Sequence, residues 1–485
     1  MIEKARNHWL ILVILALAQF MVVLDSSVVN VALPAMQKAF DIDTASLQWI
    51  VTAYTLAFGG FLLLGGRAAD LFGRKKVFMI GVILFGIASL LDGLAVNGPM
   101  LIILRAVQGL AAALMSPAAL SIVLITYREG HERNTALAVW GAVAAGGAAA
   151  GVLLGGVLTE YLGWRWNFFI NIPIAIAVAV AAWRLLPTHE AEEQDNSLDL
   201  PGAISITAAT LLLVYALTEA PNNGWTAPST LAYFAISIAL FVFFIFNEKR
   251  ARRPLVPLSI FKIRNLTGAN LTTFPVVASM FSSFFFGSLY IQQVLGYSSV
   301  RTGLSFLAVP ITIAITATNI PKLVQRIGYK PIMVAGPLFI AASLFIFAHA
   351  PVNGNYLTNL LPAFILLGLG GGMSFVSATI AATSGVPPRE SGLASGLLNT
   401  SQQVGGSLGL AILSGISASA MKRELANPSN PNLSPAELVP YATVHGFHVA
   451  YYVGMGIALA ASLVAFLVIK NSVNNSGAAP VVATH

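Results

Sequence analysis

Asp25 lies in the run LDSSVVNVALP (Leu24 to Pro34), late in a long apolar stretch that begins near Trp9. A carboxylate inside a bilayer-spanning helix costs ~2.5–3.5 kcal/mol, so such residues are rare and usually tied to function. Arg105 lies in another apolar run, where Arg105, Gln108, Ala112 and Ser116 recur at i, i+3, i+7 and i+11. That spacing gives a helix one polar face. Burial disfavours the charge on an acid and a nearby cation favours it, which together make a reversible proton carrier. Two simpler roles stay open: Asp25 as a packing residue at a kink, and Arg105 as an arginine snorkelling to the headgroups.

The segment GRAADLFGRKK (Gly66 to Lys76) places Gly66, Asp70, Gly73, Arg74 and Lys75 in one short basic loop. Gly73 permits a tight turn and Asp70 can bond neighbouring amides. The loop is either a turn of that kind or a latch whose charges hold two helix bundles together in one state. Gly147, Gly151 and Gly155 form a smooth stripe, with Gly156 beside it, suited to close helix contact across a bundle interface. Phe274, Phe281, Phe285, Ser288 and Gln292 share a helix face. With Met21 and Asp25 they make a candidate wall for a lipophilic cation, although such phenylalanines also serve simply to face lipid. His445 and His448, three apart at the start of an apolar run, lack the further ligands of a metal site.

The elements that position these residues follow from composition. The chain has 485 residues, 57% hydrophobic and only 9% charged, with a net charge of +7 and no cysteine. Ordinary soluble domains carry about a quarter charged residues, and soluble cores stop growing near ~250–300 residues. A soluble enzyme, a disordered chain and a soluble nucleic-acid binder are excluded, leaving an integral membrane protein. Absence of cysteine removes disulfides and thiol chemistry. Lys4 and Arg6 before an apolar run imitate a signal peptide, but the run is too long and lacks a cleavage site, so a retained first span is predicted.

Fourteen apolar stretches of ~20 residues lie between positions 9 and 470, without the alternation of a transmembrane barrel. The predicted fold is all-α. Most of the 26 lysines and arginines fall on the side that holds both termini; Lys38, Arg165, Arg301, Lys422 and Arg423 fall opposite, and Arg105 within a span. This bias predicts cytoplasmic termini in a cytoplasmic membrane. An acidic stretch (Glu190, Glu192, Glu193, Asp195, Asp199) and a basic one (Glu248 to Arg264) bracket an inserted pair of spans. The expected domains are an N-terminal six-helix bundle over 1–187, a linker with two inserted helices over 188–264, a C-terminal six-helix bundle over 265–471 and a cytoplasmic tail over 472–485. The halves repeat: Gly73 and Lys75 match Gly328 and Lys330 of PKLVQRIGYK (Pro321 to Lys330). Repeated halves with a site at their interface are typical of secondary transporters.

These motifs resemble the major facilitator superfamily, in particular its fourteen-span drug:proton antiporters. LDSSVVNVALP resembles the span-one motif, GRAADLFGRKK the signature loop, and LRAVQGLAAA (Leu104 to Ala113) the span-four motif. WRWNFFINIPI (Trp164 to Ile174), LDLPG (Leu198 to Gly202) and YIQQVLGYSSVRTG (Tyr290 to Gly303) are similar to the fourteen-span branch. One position departs from the span-five antiporter motif: Val152 follows Gly151 where the motif has proline. The resemblance implies two six-helix bundles with two inserted central helices, and proton-coupled efflux of lipophilic, cationic compounds by alternating access. It implies proton coupling at Asp25, Arg105 and Gln108, a gating loop at Gly66–Lys75, and a helix-packing motif at Gly147, Gly151, Gly155 and Gly156. The expected partners are a lipophilic small molecule, protons and the bilayer, with no nucleic acid; the coupling ion is the proton and no metal or organic cofactor is expected. A dedicated exporter of one antibiotic or metabolite, and an uptake or uniport member, remain alternatives.

Asp25 and Arg105 each lie about six residues, or ~9 Å, from the outer ends of their spans and can meet. Asp92, Glu160 and Glu219 fall near outer ends, which leaves Asp25 as the one deep acid and implies one proton per cycle. The inserted pair is checked by labelling: a cysteine at Asn223 should react with an impermeant reagent from outside, and one at Glu192 only after permeabilisation. Labelling of position 223 only from inside overturns the inserted pair.

Overall fold

A computed structural model describes residues 2–127, 131–186, 199–252, 254–387 and 390–470. Glu190, Glu192, Glu193, Asp195, Arg128, Arg253, Arg389 and the tail 472–485 lie outside the described residues. The first half consists of α1 (Ile2–Phe40), α2 (Thr44–Phe72), α3 (Arg74–Gly93), α4 (Gly98–Thr126), α5 (His131–Tyr161) and α6 (Asn171–Leu185). Then come α7 (Leu200–Asn223) and α8 (Pro228–Arg250). The second half consists of α9 (Arg264–Leu289), α10 (Ala308–Ile327), α11 (Tyr329–Phe347), α12 (Leu361–Thr383), α13 (Ser391–Ala426) and α14 (Pro435–Val468). Among the described residues 13 segments are long and apolar enough to cross a membrane. The 31-residue α5 joins them in the bundle.

Helix ends follow local chemistry. Asp43, Asn97 and Asp199 cap α2, α4 and α7 by accepting from Ser46 N, Met100 N and Gly202 N, each at 2.8 Å. Short polar side chains satisfy the unpaired amides of a first turn, and proline fits there because its missing N–H is not needed. Gly73 (φ 92°) and Gly328 (φ 79°) make the α2–α3 and α10–α11 turns in a backbone region that suits glycine. Their match in sequence is thus also a match in backbone.

In the first half α2 packs on α4, α1 on α5 and α3 on both α4 and α6. The second half repeats this: α9 packs on α13, and α11 on α12 and α14. The pair α7 and α8 pack on each other, with α7 also against α2 and α13. Ser237 Oγ donates to Ala209 O at 2.7 Å, and Asn247 Nδ2 reaches both oxygens of the capping Asp199 at 2.7 and 2.8 Å, tying the pair together. Large apolar residues such as Trp183, Ile238, Phe243 and Phe246 face outward. That is the surface a helix needs when its backbone bonds are internal and its surroundings are hydrocarbon.

The glycine stripe packs differently from the expectation. A methyl group at Gly151 would come within 2.6 Å of Ser27 Cβ and 2.9 Å of Leu24 O, and one at Gly155 within 2.8 Å of Val28 O. Gly147 likewise faces Phe20 O. The stripe therefore seats α5 on α1 inside the first bundle, not across the bundle interface. It does so because α1 is the neighbour that the stripe's period-four face meets. Gly405 and Gly409 seat α13 on α9 in the same way, against Phe274 O and Ala278 Cα. Gly156, one residue off the stripe, faces Ser299 of the second half.

The last helix also starts earlier than its apolar run, because Ser434 and Glu437 form a capping box around its first turn. His445 and His448 consequently lie well inside α14 and not at its start. Replacing Gly151 by valine should separate α5 from α1. Overpacking of this kind costs ~1–3 kcal/mol, so thermal unfolding in detergent should fall by several degrees while Gly146→Val changes little. Gly146 faces open space.

Candidate functional site

Asp25 from α1 is fully buried, with α4 and α6 packed against α1. Arg105 Nη1 donates to Asp25 Oδ2 at 2.6 Å. Gln108 Nε2 and Asn171 Nδ2 donate to Asp25 Oδ1 at 3.0 and 2.8 Å. Both amides also donate to Ser89 Oγ, at 2.6 and 3.1 Å. Arg105 is further held by Gln108 Oε1 and, through Nε, by Ile50 O at 3.3 Å. Its guanidinium carbon lies 4.2 Å from the centre of the Tyr54 ring. Charge-assisted bonds of this sort are about twice as strong as neutral ones, and a flat guanidinium also stacks well on an aromatic face. The three donors on Asp25 suit its ionised form.

The polar face of α4 continues away from this cluster. Ser116 Oγ donates to Gln19 Oε1 of α1 at 2.9 Å. Met21, one turn before Asp25, is fully buried in the first bundle's core. Phe285 is only 1% exposed and stacks edge-on against Phe286 in the second bundle, so in this state it forms core and not an open wall. Phe281 lies against Gly406. Gln292 crosses between halves, donating to Val31 O at 2.9 Å and to Ser288 Oγ at 3.2 Å. The structure thus gathers Asp25, Arg105 and Gln108 in one network and sets Phe281, Phe285 and Gln292 apart from it.

The bundles meet tightly at the end opposite the Gly66–Lys76 loop. Gln293 Nε2 donates to Gln37 Oε1 at 2.8 Å, and Val300 N to Glu160 Oε2 at 2.8 Å. A methyl at Gly156 would lie 2.5 Å from Ser299 O, and one at Gly303 2.3 Å from Val152 O. At the loop end, Arg74 pairs with Asp70 at 3.2 Å across an exposed turn. Lys75 Nζ caps the end of α6 through Trp183 O and Leu186 O, at 2.9 and 2.6 Å. Gly66 lies against Pro117 of α4. These contacts all stay within the first bundle, so in this state the loop ties helices of one bundle and not two bundles. His448 Nε2 bonds Ala350 O at 2.8 Å, and His445 lies 3.9 Å from Glu424, so the two histidines address different partners.

Two contributors escaped the sequence reading. Asn171 falls in WRWNFFINIPI, a motif noted for its likeness to the fourteen-span branch and not for chemistry; its amide bridges Asp25 and Ser89. Asp92, expected near a span end, is fully buried. Its spacing of three from Ser89 in an otherwise apolar helix was the available signal.

The charge pair makes a stability test. Removing one partner of a buried ion pair strands the other and costs ~3–5 kcal/mol. Arg105→Ala should lower the unfolding temperature sharply, and adding Asp25→Asn to it should restore most of the loss. An additive double variant contradicts the pairing.

The sequence model of the Major Facilitator Superfamily matches residues 15–410. The puromycin resistance protein pur8 of Streptomyces alboniger is 40% identical over 469 residues, covering 96% of this chain and 92% of that protein. The cephamycin export protein CmcT of Amycolatopsis lactamdurans is 36% identical, over 86% of this chain and 87% of its own. The crystal structure of the POT family transporter PepTSo superposes with a TM-score of 0.70 at 15% identity, covering 95% of this chain and 97% of that one. The chain belongs to the Major Facilitator Superfamily and is a multi-pass membrane transporter, not an enzyme.

Proposed function

We propose that this transporter exports lipophilic, cationic compounds from the cell in exchange for protons, with its termini in the cytoplasm. The observation that carries the reading is the buried pair of Asp25 and Arg105, 2.6 Å apart inside the first bundle. An ionised Asp25 is held by Arg105, Gln108 and Asn171. A proton on Asp25 removes the charge that those donors address, so binding and release of one proton rearrange contacts of α1, α4 and α6 together. Opposite-charge attraction also lets a cationic cargo compete for the same carboxylate. The export named for the relative from Amycolatopsis, and the resistance named for that from Streptomyces, support outward transport here.

Exchange of a monocation for one proton moves no net charge. A dication would carry one charge outward against ~2.3 kcal/mol per 100 mV of inside-negative potential. Those two relatives are each named for a single antibiotic, which favours a second reading: a dedicated exporter of one compound. A panel containing puromycin and ethidium separates a broad range from a narrow one.

In inverted membrane vesicles, a pH gradient should drive puromycin or ethidium transport by the wild type. Asp25→Asn, compared at equal membrane level, should lose at least about tenfold in rate. Arg105→Lys should recover little, because an ammonium cannot reproduce the planar fork. Wild-type transport by Asp25→Asn would falsify proton coupling through Asp25.

A further inference from the structure

Asp92 is fully buried in α3, and neither of its carboxylate oxygens has a hydrogen-bond partner among the described residues. It lies one residue before the end of that helix, on the side where the bundles are sealed. The charged groups around it are Arg105 on α4, which stacks on the Tyr54 ring of α2, Asp25 on α1, and Arg165, which donates to Ala95 O at 3.1 Å. Arg105 and Asp25 act on Asp92 electrostatically, but the hydrogen bonds of Arg105 go to Asp25, Gln108 and Ile50. An ionised carboxylate stripped of water and of hydrogen bonds is far more costly than a neutral one. Asp25 holds three donors while Asp92 holds none. The two acids therefore sit in opposite hydrogen-bonding environments.

We propose that Asp92 is the second proton-holding residue of the site, exchanging one proton and the pairing of Arg105 with Asp25. This rests on the proton-coupled reading above and adds to it a carboxylate between Asp25 and the sealed end. In the state described here Asp92 carries the proton and Asp25 is the anion. In the exchange the O–H bond on Asp92 breaks, an O–H bond forms on Asp25, and Arg105 shifts from the newly neutral acid to the newly ionised one. One arginine then balances one carboxylate before and after, so no step leaves a second bare charge in the bundle. Ser89, three residues before Asp92 on the same face, accepts from Gln108 and Asn171, whose amides also donate to Asp25. These amides hold the space between the two acids in order and do not carry the proton, which passes from carboxyl to carboxyl as Arg105 shifts. When the sealed end opens, Asp92 is the nearer of these two acids to that end, and it fills from that side.

Full-length protein in liposomes with trapped pyranine, given a puromycin gradient, provides the test. The wild type should move protons, and Asp92→Asn should slow that movement at least about tenfold while puromycin binding stays within about threefold. Asp92→Glu should recover a substantial part of the rate and shift its pH profile, which a merely space-filling role does not do. Infrared spectroscopy at neutral pH should show the carbonyl band of a carboxylic acid free of hydrogen bonds, lost in Asp92→Asn. A wild type without that band overturns the proposal whether or not the variant folds. If wild-type liposomes move protons and Asp92→Asn behaves identically, Asp92 is not part of the exchange. If the wild type moves puromycin without protons, the proton-coupled reading falls, and this one with it.

Discussion

A full positive and a full negative charge are kept out of water between the helices of the first bundle, and much of that bundle's architecture answers this constraint. The Coulomb attraction of an isolated pair does not by itself offset the loss of hydration; further hydrogen bonds are needed. Here α2 supplies Ile50 O and the Tyr54 face, α3 supplies Ser89, α4 supplies Gln108 and α6 supplies Asn171. The donors to Asp25 come from α4 and α6, and the groups that hold those donors come from α2 and α3, so a change in charge on Asp25 is felt by several helices at once. A carboxylate satisfied within its own helix would have no such reach.

Water is excluded from this cluster both by the buried rings of Tyr54 and Phe168 beside Arg105 and by close backbone packing. The stripe Gly147, Gly151 and Gly155 brings α5 onto the stretch of α1 that brackets Asp25, with Leu24, Ser27 and Val28 in direct contact. The second half repeats the device with Gly405 and Gly409 on α9 but places no carboxylate there. The two halves thus share a packing scheme while only the first carries the charge pair, which separates the scaffold from the chemistry laid on it.

How much of this was legible in the sequence depended on the kind of information needed. Asp25 and Arg105 stood out because a charge in an apolar run is conspicuous, and helix rise alone put both at similar depth. Gly73 and Gly328 were legible because a turn imposes the same backbone need in both halves. The partner of the glycine stripe was not, since a smooth face says nothing about which neighbour will meet it. Asp92 does lie near a helix end as expected, but its burial was not legible: distance from a helix end measures position along the axis, while burial depends on what covers the end. Here the Phe169 ring presses on Gly93 and Arg165 reaches Ala95 O, closing over the last turn of α3. The early start of α14 was hidden because capping chemistry at Ser434 and Glu437, not hydropathy, sets it.

The sealed end has a kinetic consequence. Its closest contacts are peptide against peptide: Gly156 on the Ser299 carbonyl and Gly303 on the Val152 carbonyl, with Gln292 and Gln293 as polar stitches. Glycines present no methyls to be bared when the surfaces part, and carbonyls and amides regain water readily. The same end also buries an apolar cluster that runs from Val28, Val31 and Met36 of α1 to Leu289, Tyr290 and Phe306 of the second half. Parting therefore bares apolar area as well, and its barrier carries the temperature dependence that this brings. The polar stitches part easily, and it is the apolar cluster beneath them that resists opening.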